Sequence, residues 1–169
     1  YNVSLKRNLI LSVALELNVQ KIVNILNLLW KGSKNDIPAD LRELVYRSVV
    51  KYGSEKDFNK LIDIYKDSKS ALEQNQILSS LGYSMNTSLL KKLLELTFEA
   101  NSIVRQQDIP IVISSIAHNP LGRKLVWNYV KENWETICSK LKGGSFLFGR
   151  VVSTSIKLCV ISPPPTLTP

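Results

Sequence analysis

The chain has 169 residues, 44% hydrophobic and 21% charged, with 22 Lys and Arg against 14 Asp and Glu. That is the size and balance of one globular domain, and it excludes a disordered chain, a collagen-like repeat or a disulfide framework. The net charge of +8 comes with no dense Lys/Arg run and no nucleic-acid-binding signature, so it reads as a solvated surface and nucleic acid is not expected as a partner.

At the N-terminus, Lys6-Arg7 followed by apolar residues 9–15 resembles the start of a signal peptide. Glu16 closes the apolar run early and no small-residue cleavage site follows cleanly, so 5–16 is expected to be a plain amphipathic helix. No stretch of 18 apolar residues exists, and no membrane span is expected. The compartment stays open, with the cytoplasm as the default reading. A second helix is expected over 18–31, carrying Ile22, Val23, Leu26, Leu29 and Trp30, before a loop at 32–38.

Asp40 with Glu43 gives a capping-box-like start to a helix bearing Leu41, Leu44, Val45 and Val49, which Gly53 ends. Ser54 with Asp57 opens the next, whose Phe58, Leu61, Ile62 and Tyr65 share a face. A helix over 70–81 stops near Gly82. Asn86 caps another, with Leu89, Leu90, Leu93, Leu94 and Thr97 as its inward stripe. Asp108 is expected to cap the helix that carries Ile109, Val112, Ile113 and Ile116, with Pro110 tolerated in the first turn.

Asn119 can cap a following long helix with Pro120 in its first position, where a missing N–H costs nothing. Val126, Val130, Trp134, Ile137 and Leu141 fall on one face of it, and Gly143-Gly144 closes it. Trp30, Trp127 and Trp134 are expected in the core, as is a reduced Cys138. A last helix is expected over 145–158. The proline-rich 158–169 (LCVISPPPTLTP) breaks the pattern and reads as a tail. Helices at this rhythm, with no alternating apolar run, predict an all-α fold: a superhelical stack of antiparallel helix pairs of HEAT/armadillo-like type.

Chemistry is sparse. There is no HExxH, no GxSxG and no phosphate-cradling glycine loop. His118 is the only histidine, and two distant cysteines, Cys138 and Cys159, cannot complete a zinc site with it. Asp108 stands at the far end of the helix that ends in His118, too far to orient it in a hydrolase triad. No catalytic and no metal-binding residues are expected in this chain.

Three segments carry a resemblance: IPADLRELVYRSVVKYGSEKDFNKLIDIYKDS (37–68), VRQQDIPIVISSIAHNPLGRKLVWNYVKENW (104–134) and GGSFLFGRVVS (143–153). Within them, R-x-Q-D (Arg105, Gln107, Asp108), N-P-x-G (Asn119, Pro120, Gly122) and W-x-x-V-K-E-N-W (Trp127 to Trp134) occur in order. Over about residues 5–157 the chain resembles the C-terminal helical domain of the gluzincin zinc aminopeptidases, the family of aminopeptidase N, the puromycin-sensitive aminopeptidase and the endoplasmic-reticulum antigen-trimming enzymes.

That resemblance implies a bowl of helix pairs over residues 1–157, incomplete at both ends, and a non-family tail at 158–169. The partners it implies are an upstream catalytic domain of the same polypeptide and a peptide substrate enclosed by the bowl. The cofactor it implies is a zinc ion held in that catalytic domain by HExxH-x18-E, none of which is present here. Basic residues on the inner wall of several relatives align with Tyr83 and His118. Tyr83 departs from them by lacking a charge, whereas His118 can pair with a carboxylate when protonated. The alternative, from another class, is a stand-alone helical-repeat module that binds a protein partner without catalysis.

Overall fold

The structure is a computed structural model that describes residues 2–32 and 36–141, together with 149, 151 and 153. The chain forms two compact units, Tyr1–Met85 and Asn86–Pro169. The first holds α1 (Asn2–Glu16), α2 (Gln20–Lys31), α3 (Arg42–Tyr52), α4 (Glu55–Asp67) and α5 (Ala71–Leu81). The second holds α6 (Thr87–Phe98), α7 (Ile109–His118), α8 (Pro120–Glu132) and α9 (Trp134–Lys140), with a 3-10 turn at Gln106–Asp108. Every regular element among the described residues is a helix, and neighbouring helices pack on one another in a stack, as the apolar periodicity predicted.

In the first unit α3 is the centre, packed against α2, α4 and α5. Its Val45 and Tyr46 are fully buried, as are Phe58 and Leu61 of α4 and Ile77 of α5. Burying so much apolar surface leaves the few enclosed polar groups in need of partners. The Tyr46 hydroxyl donates to Glu73 Oε1 at 3.1 Å and the Ser68 hydroxyl donates to Glu73 Oε2 at 2.7 Å. Burial pushes the Tyr46 phenol well up from its ordinary range, and the Glu73 carboxylate beside it pushes further in the same direction. Ser54 and Asp57 form the full capping box at the start of α4, and Asp57 Oδ1 also accepts from Trp30 Nε1 at 2.8 Å.

In the second unit α7 is the centre. Its Ile109, Val112, Ile113 and Ile116 have no exposed surface, and it packs against α6, where Leu90, Leu93 and Leu94 are buried, and α8, where Val126 is buried. Asn86 caps α6 and Asn119 caps α8 as expected, each side chain accepting from the backbone N–H two residues on.

Several expectations fail. Asp40 does not cap α3: Leu41 is its N-cap, with no side-chain bond, and the Asp40 carboxylate instead takes Ser4 and Arg7 of α1. Asp108 stands at the N-cap position of α7 as expected but makes no side-chain capping bond; its carboxylate instead accepts from Arg105 Nε at 2.6 Å. The long helix after Asn119 is broken at Asn133, whose side-chain Nδ2 and backbone N–H both donate to the Tyr129 carbonyl. Asn133 leaves helical geometry at φ −113° and ψ 23°, and a side chain bonded back to the preceding turn in this way bends a helix. Beyond the break Ile137 and Leu141 remain buried, but Trp134 is 43% exposed and Trp127 half-buried, so only Trp30 of the three tryptophans is a core residue.

The plain amphipathic reading of α1 also fails. Leu15 is buried, yet Leu5, Leu9, Ile10 and Val13 are at least half exposed. Asn18, at φ 55°, turns the chain by 110° between α1 and α2; asparagine tolerates that left-handed conformation better than other side chains. Cys138 is half-buried rather than enclosed. Of the helix expected over 145–158, the described residues Gly149, Val151 and Ser153 are helical and Val151 is buried. Gly143-Gly144 and the tail at 158–169 lie outside the described residues.

Candidate functional site

Tyr83 and His118 fall in different units. Tyr83 follows α5 in a turn held by its N–H donating to the Ser80 carbonyl at 3.0 Å, and it is half-buried. The Arg47 guanidinium of α3 lies 4.8 Å from the centre of its ring. Arg47 also pairs with Glu43 one turn back, and the Ser79 hydroxyl reaches the same Glu43 oxygen at 3.4 Å. Two i,i+4 pairs therefore face each other: Glu43 and Arg47 on α3, Ser79 and Tyr83 at the end of α5. Tyr83 has no charge, but it stands against a cation that a guanidinium–ring contact holds in place.

Arg47 is the residue that sequence reasoning missed. Its spacing to Glu43 was visible, but nothing along the chain says that α3 presents that face to Tyr83.

His118 is the last residue of α7 and is exposed. Its Nδ1 lies 2.7 Å from the Ser114 carbonyl oxygen. A carbonyl can only accept, so the hydrogen sits on Nδ1 and Nε2 is the outward atom. Neutral, Nε2 accepts a hydrogen bond; protonated, it donates one with a full charge. The turn after His118 is closely packed. Asn119 Oδ1 accepts from the Leu121 N–H at 3.0 Å, Pro120 opens α8, and Gly122 comes so near that an added Cβ would sit 2.2 Å from the Ile116 carbonyl oxygen.

Two surface grooves also lie in the second unit. One, of about 410 Å³, runs between α6 and α8 past Lys91, Lys124 and Tyr129; the other, of about 530 Å³, lies between the end of α6 and α9. At the second, Lys140 Nζ donates to the Thr97 and Glu99 carbonyls and so satisfies the open end of α6. Neither groove includes Tyr83 or His118.

Among the described residues no three His, Cys, Asp or Glu side chains converge as a metal site would require.

The sequence matches the family described as "ERAP1-like C-terminal domain" over residues 1–160. The chain belongs to that family. It is 34% identical over 152 residues to endoplasmic reticulum aminopeptidase 2 of Bos taurus, a match covering 87% of this chain and 16% of that protein. It is 31% identical over 136 residues to aminopeptidase Ey of Gallus gallus, covering 79% of this chain and 14% of the relative. With aminopeptidase 2 of Candida albicans it shares 34% identity over 122 residues, 72% of this chain and 13% of that protein. The chain thus spans about one seventh of the length of the curated relatives it matches.

Proposed function

We propose that this ERAP1-like C-terminal domain works as the helical wall of a zinc-dependent aminopeptidase. In this reading residues 1–157 form the domain and 158–169 a tail foreign to it. The domain packs on a catalytic domain of the same polypeptide, which carries the zinc and cleaves the first peptide bond, while the wall encloses the rest of the peptide. The observation that carries the reading is the family match across 1–160, supported by relatives that are named as aminopeptidases.

Tyr83 and His118 are the wall's peptide contacts in this proposal. The Tyr83 hydroxyl, on a ring whose face carries the Arg47 guanidinium, and His118 Nε2 offer hydrogen bonds to backbone carbonyls or to a carboxylate of the peptide. Neither does chemistry at the scissile bond; both hold the part of the substrate that is not being cut.

The native transcript, read upstream of Tyr1 and downstream of Lys157, tests the proposal. An HExxH-x18-E with a G-x-M-E-N loop in the same frame is the expected result. A reading frame that starts just before Tyr1 and holds no catalytic domain would overturn it and leave a stand-alone binding module.

A further inference from the structure

We propose that Asn86 carries an N-linked glycan. Asn86-Thr87-Ser88 is an N-x-S triplet, the acceptor pattern for attachment of an oligosaccharide to an asparagine amide. A sequence match alone is weak, because such triplets are frequent and many are buried or lie within regular structure. Here all three residues are on the surface, and Asn86 itself precedes α6, with only Thr87 and Ser88 in the first turn of that helix. Asn86, Thr87 and Ser88 are all exposed, Met85 before them is 57% exposed, and Asn86 has extended backbone at φ −103°, ψ 111°. The other N-x-S match, Asn2-Val3-Ser4, lies in the helical backbone of α1.

The cap at this position is compatible with the modification. Asn86 caps α6 through its carbonyl oxygen, Oδ1, which accepts from the Ser88 backbone N–H at 2.9 Å. A glycan is attached through the other atom, Nδ2. In the transfer, Nδ2 bonds to the anomeric carbon of an oligosaccharide carried on a lipid pyrophosphate. The anomeric C–O bond to that pyrophosphate breaks, lipid pyrophosphate departs, and Nδ2 gives up one of its two protons. Oδ1 keeps its lone pairs, so the start of α6 stays capped while the sugar projects from an exposed turn.

The inference goes beyond the aminopeptidase reading and does not depend on it. It also reverses the cytoplasmic default drawn from the sequence, since this modification is made in the secretory pathway. One of the relatives, endoplasmic reticulum aminopeptidase 2, carries that compartment in its name.

The test uses the protein purified from its natural source. Trypsin releases residues 70–91 as one peptide, which holds Asn86 and one other asparagine, Asn75, outside any acceptor triplet. Treatment with peptide-N-glycosidase in heavy-oxygen water converts a glycosylated asparagine to labelled aspartate. Label at position 86 with Asn75 unlabelled is the expected result; peptide 70–91 recovered only with unlabelled asparagine at position 86 overturns the proposal. Ser88→Ala in the full-length protein supplies the second variant: it removes the acceptor triplet but keeps the backbone N–H that bonds Oδ1, and it should lose the mass of one glycan while the fold is retained. Peptidase activity assayed on the same preparation separates the two proposals. An active, unlabelled protein refutes the glycan alone, and a labelled, inactive one refutes the aminopeptidase reading alone.

Discussion

Replacing Gly122 with alanine sets two effects against each other, and the structure decides between them. Inside a helix, alanine is favoured over glycine by about 1 kcal/mol. At Gly122, however, the new Cβ would stand 2.2 Å from the Ile116 carbonyl oxygen and 2.6 Å from Ile116 Cγ2. That carbonyl also accepts the Asn119 N–H at 3.1 Å, so it cannot swing away without uncoupling the turn between α7 and α8. With Asn119 alone joining the two helices, they must part by roughly an ångström to admit a methyl group, and overpacking of a filled interior costs about 1–3 kcal/mol, occasionally more. Backbone rather than a flexible side chain must yield, so the upper end applies. After the propensity gain, Gly122→Ala should destabilise the second unit by about 2 kcal/mol. Urea unfolding of the 169-residue chain, followed by tryptophan fluorescence and far-UV circular dichroism, measures it. Gly149 is the control: it is helical and exposed, and an added Cβ there meets nothing within 4 Å. The same substitution at Gly149 should be neutral or stabilising by up to ~1 kcal/mol. Gly122→Ala unfolding at or above the wild-type midpoint would refute the close-packing argument.

Other predictions rest on the polar groups. Tyr46→Phe leaves the buried Glu73 carboxylate without one of its donors and should cost about 1–3 kcal/mol, read as a lowered urea midpoint with unchanged slope. For Asp57, burial pushes the carboxyl up, but hydrogen bonds from the Ser54 side chain and backbone and from Trp30 outweigh it and hold the group below its ordinary range. A depressed carboxyl contributes stability that is present above its unfolded value near pH 4 and is lost as pH falls through the lower folded value. The pH dependence of unfolding below about pH 4 should therefore be shallower in Asp57→Asn than in wild type. In the full-length aminopeptidase proposed above, Arg47→Gln and His118→Ala should each raise KM for long peptides several-fold while leaving hydrolysis of a single-residue anilide unchanged. Equal losses on both substrates would remove these residues from the substrate wall.

What could be read from the sequence depended on how many partners each residue had to choose among. An aliphatic stripe has one place to go, and the inward residues that periodicity assigns to α4, α6 and α7 are all buried. A carboxylate near a helix start has several possible donors. Ser54 and Asp57 satisfied each other, but Asp40 was taken by Ser4 and Arg7, more than thirty residues upstream, and local spacing cannot reveal such a competitor. The break at Asn133 is a departure of the backbone from helical geometry, at φ −113° and ψ 23°, which apolar spacing does not reveal. At the candidate site, Tyr83 and His118 were legible only through a resemblance. The Arg47 contact required the packing of α3 on α5.

The segments that carry the resemblance contain joints as well as surface, and one joint can be taken apart quantitatively. Arg105 and Asp108 of R-x-Q-D form an ion pair whose carboxylate is 5% exposed and whose guanidinium side chain is 40% exposed. Asn119 and Gly122 of N-P-x-G fix the turn into α8, and Asn133 of the W-x-x-V-K-E-N-W run ends it. If Arg105 serves chiefly to keep Asp108 satisfied where it is buried, Arg105→Met alone should be costly, because it leaves an enclosed carboxylate without its cation. Removing one partner of a fully buried pair costs about 3–5 kcal/mol; with Arg105 partly in water, about 1–3 kcal/mol is expected. Adding Asp108→Asn should recover much of that loss, since an amide tolerates the site without a charge partner. The coupling in this double-mutant cycle, measured by urea unfolding, should be at least ~1 kcal/mol. Additive losses would mean that the two residues act separately, and the pair would then be a surface contact rather than the joint that sets the start of α7.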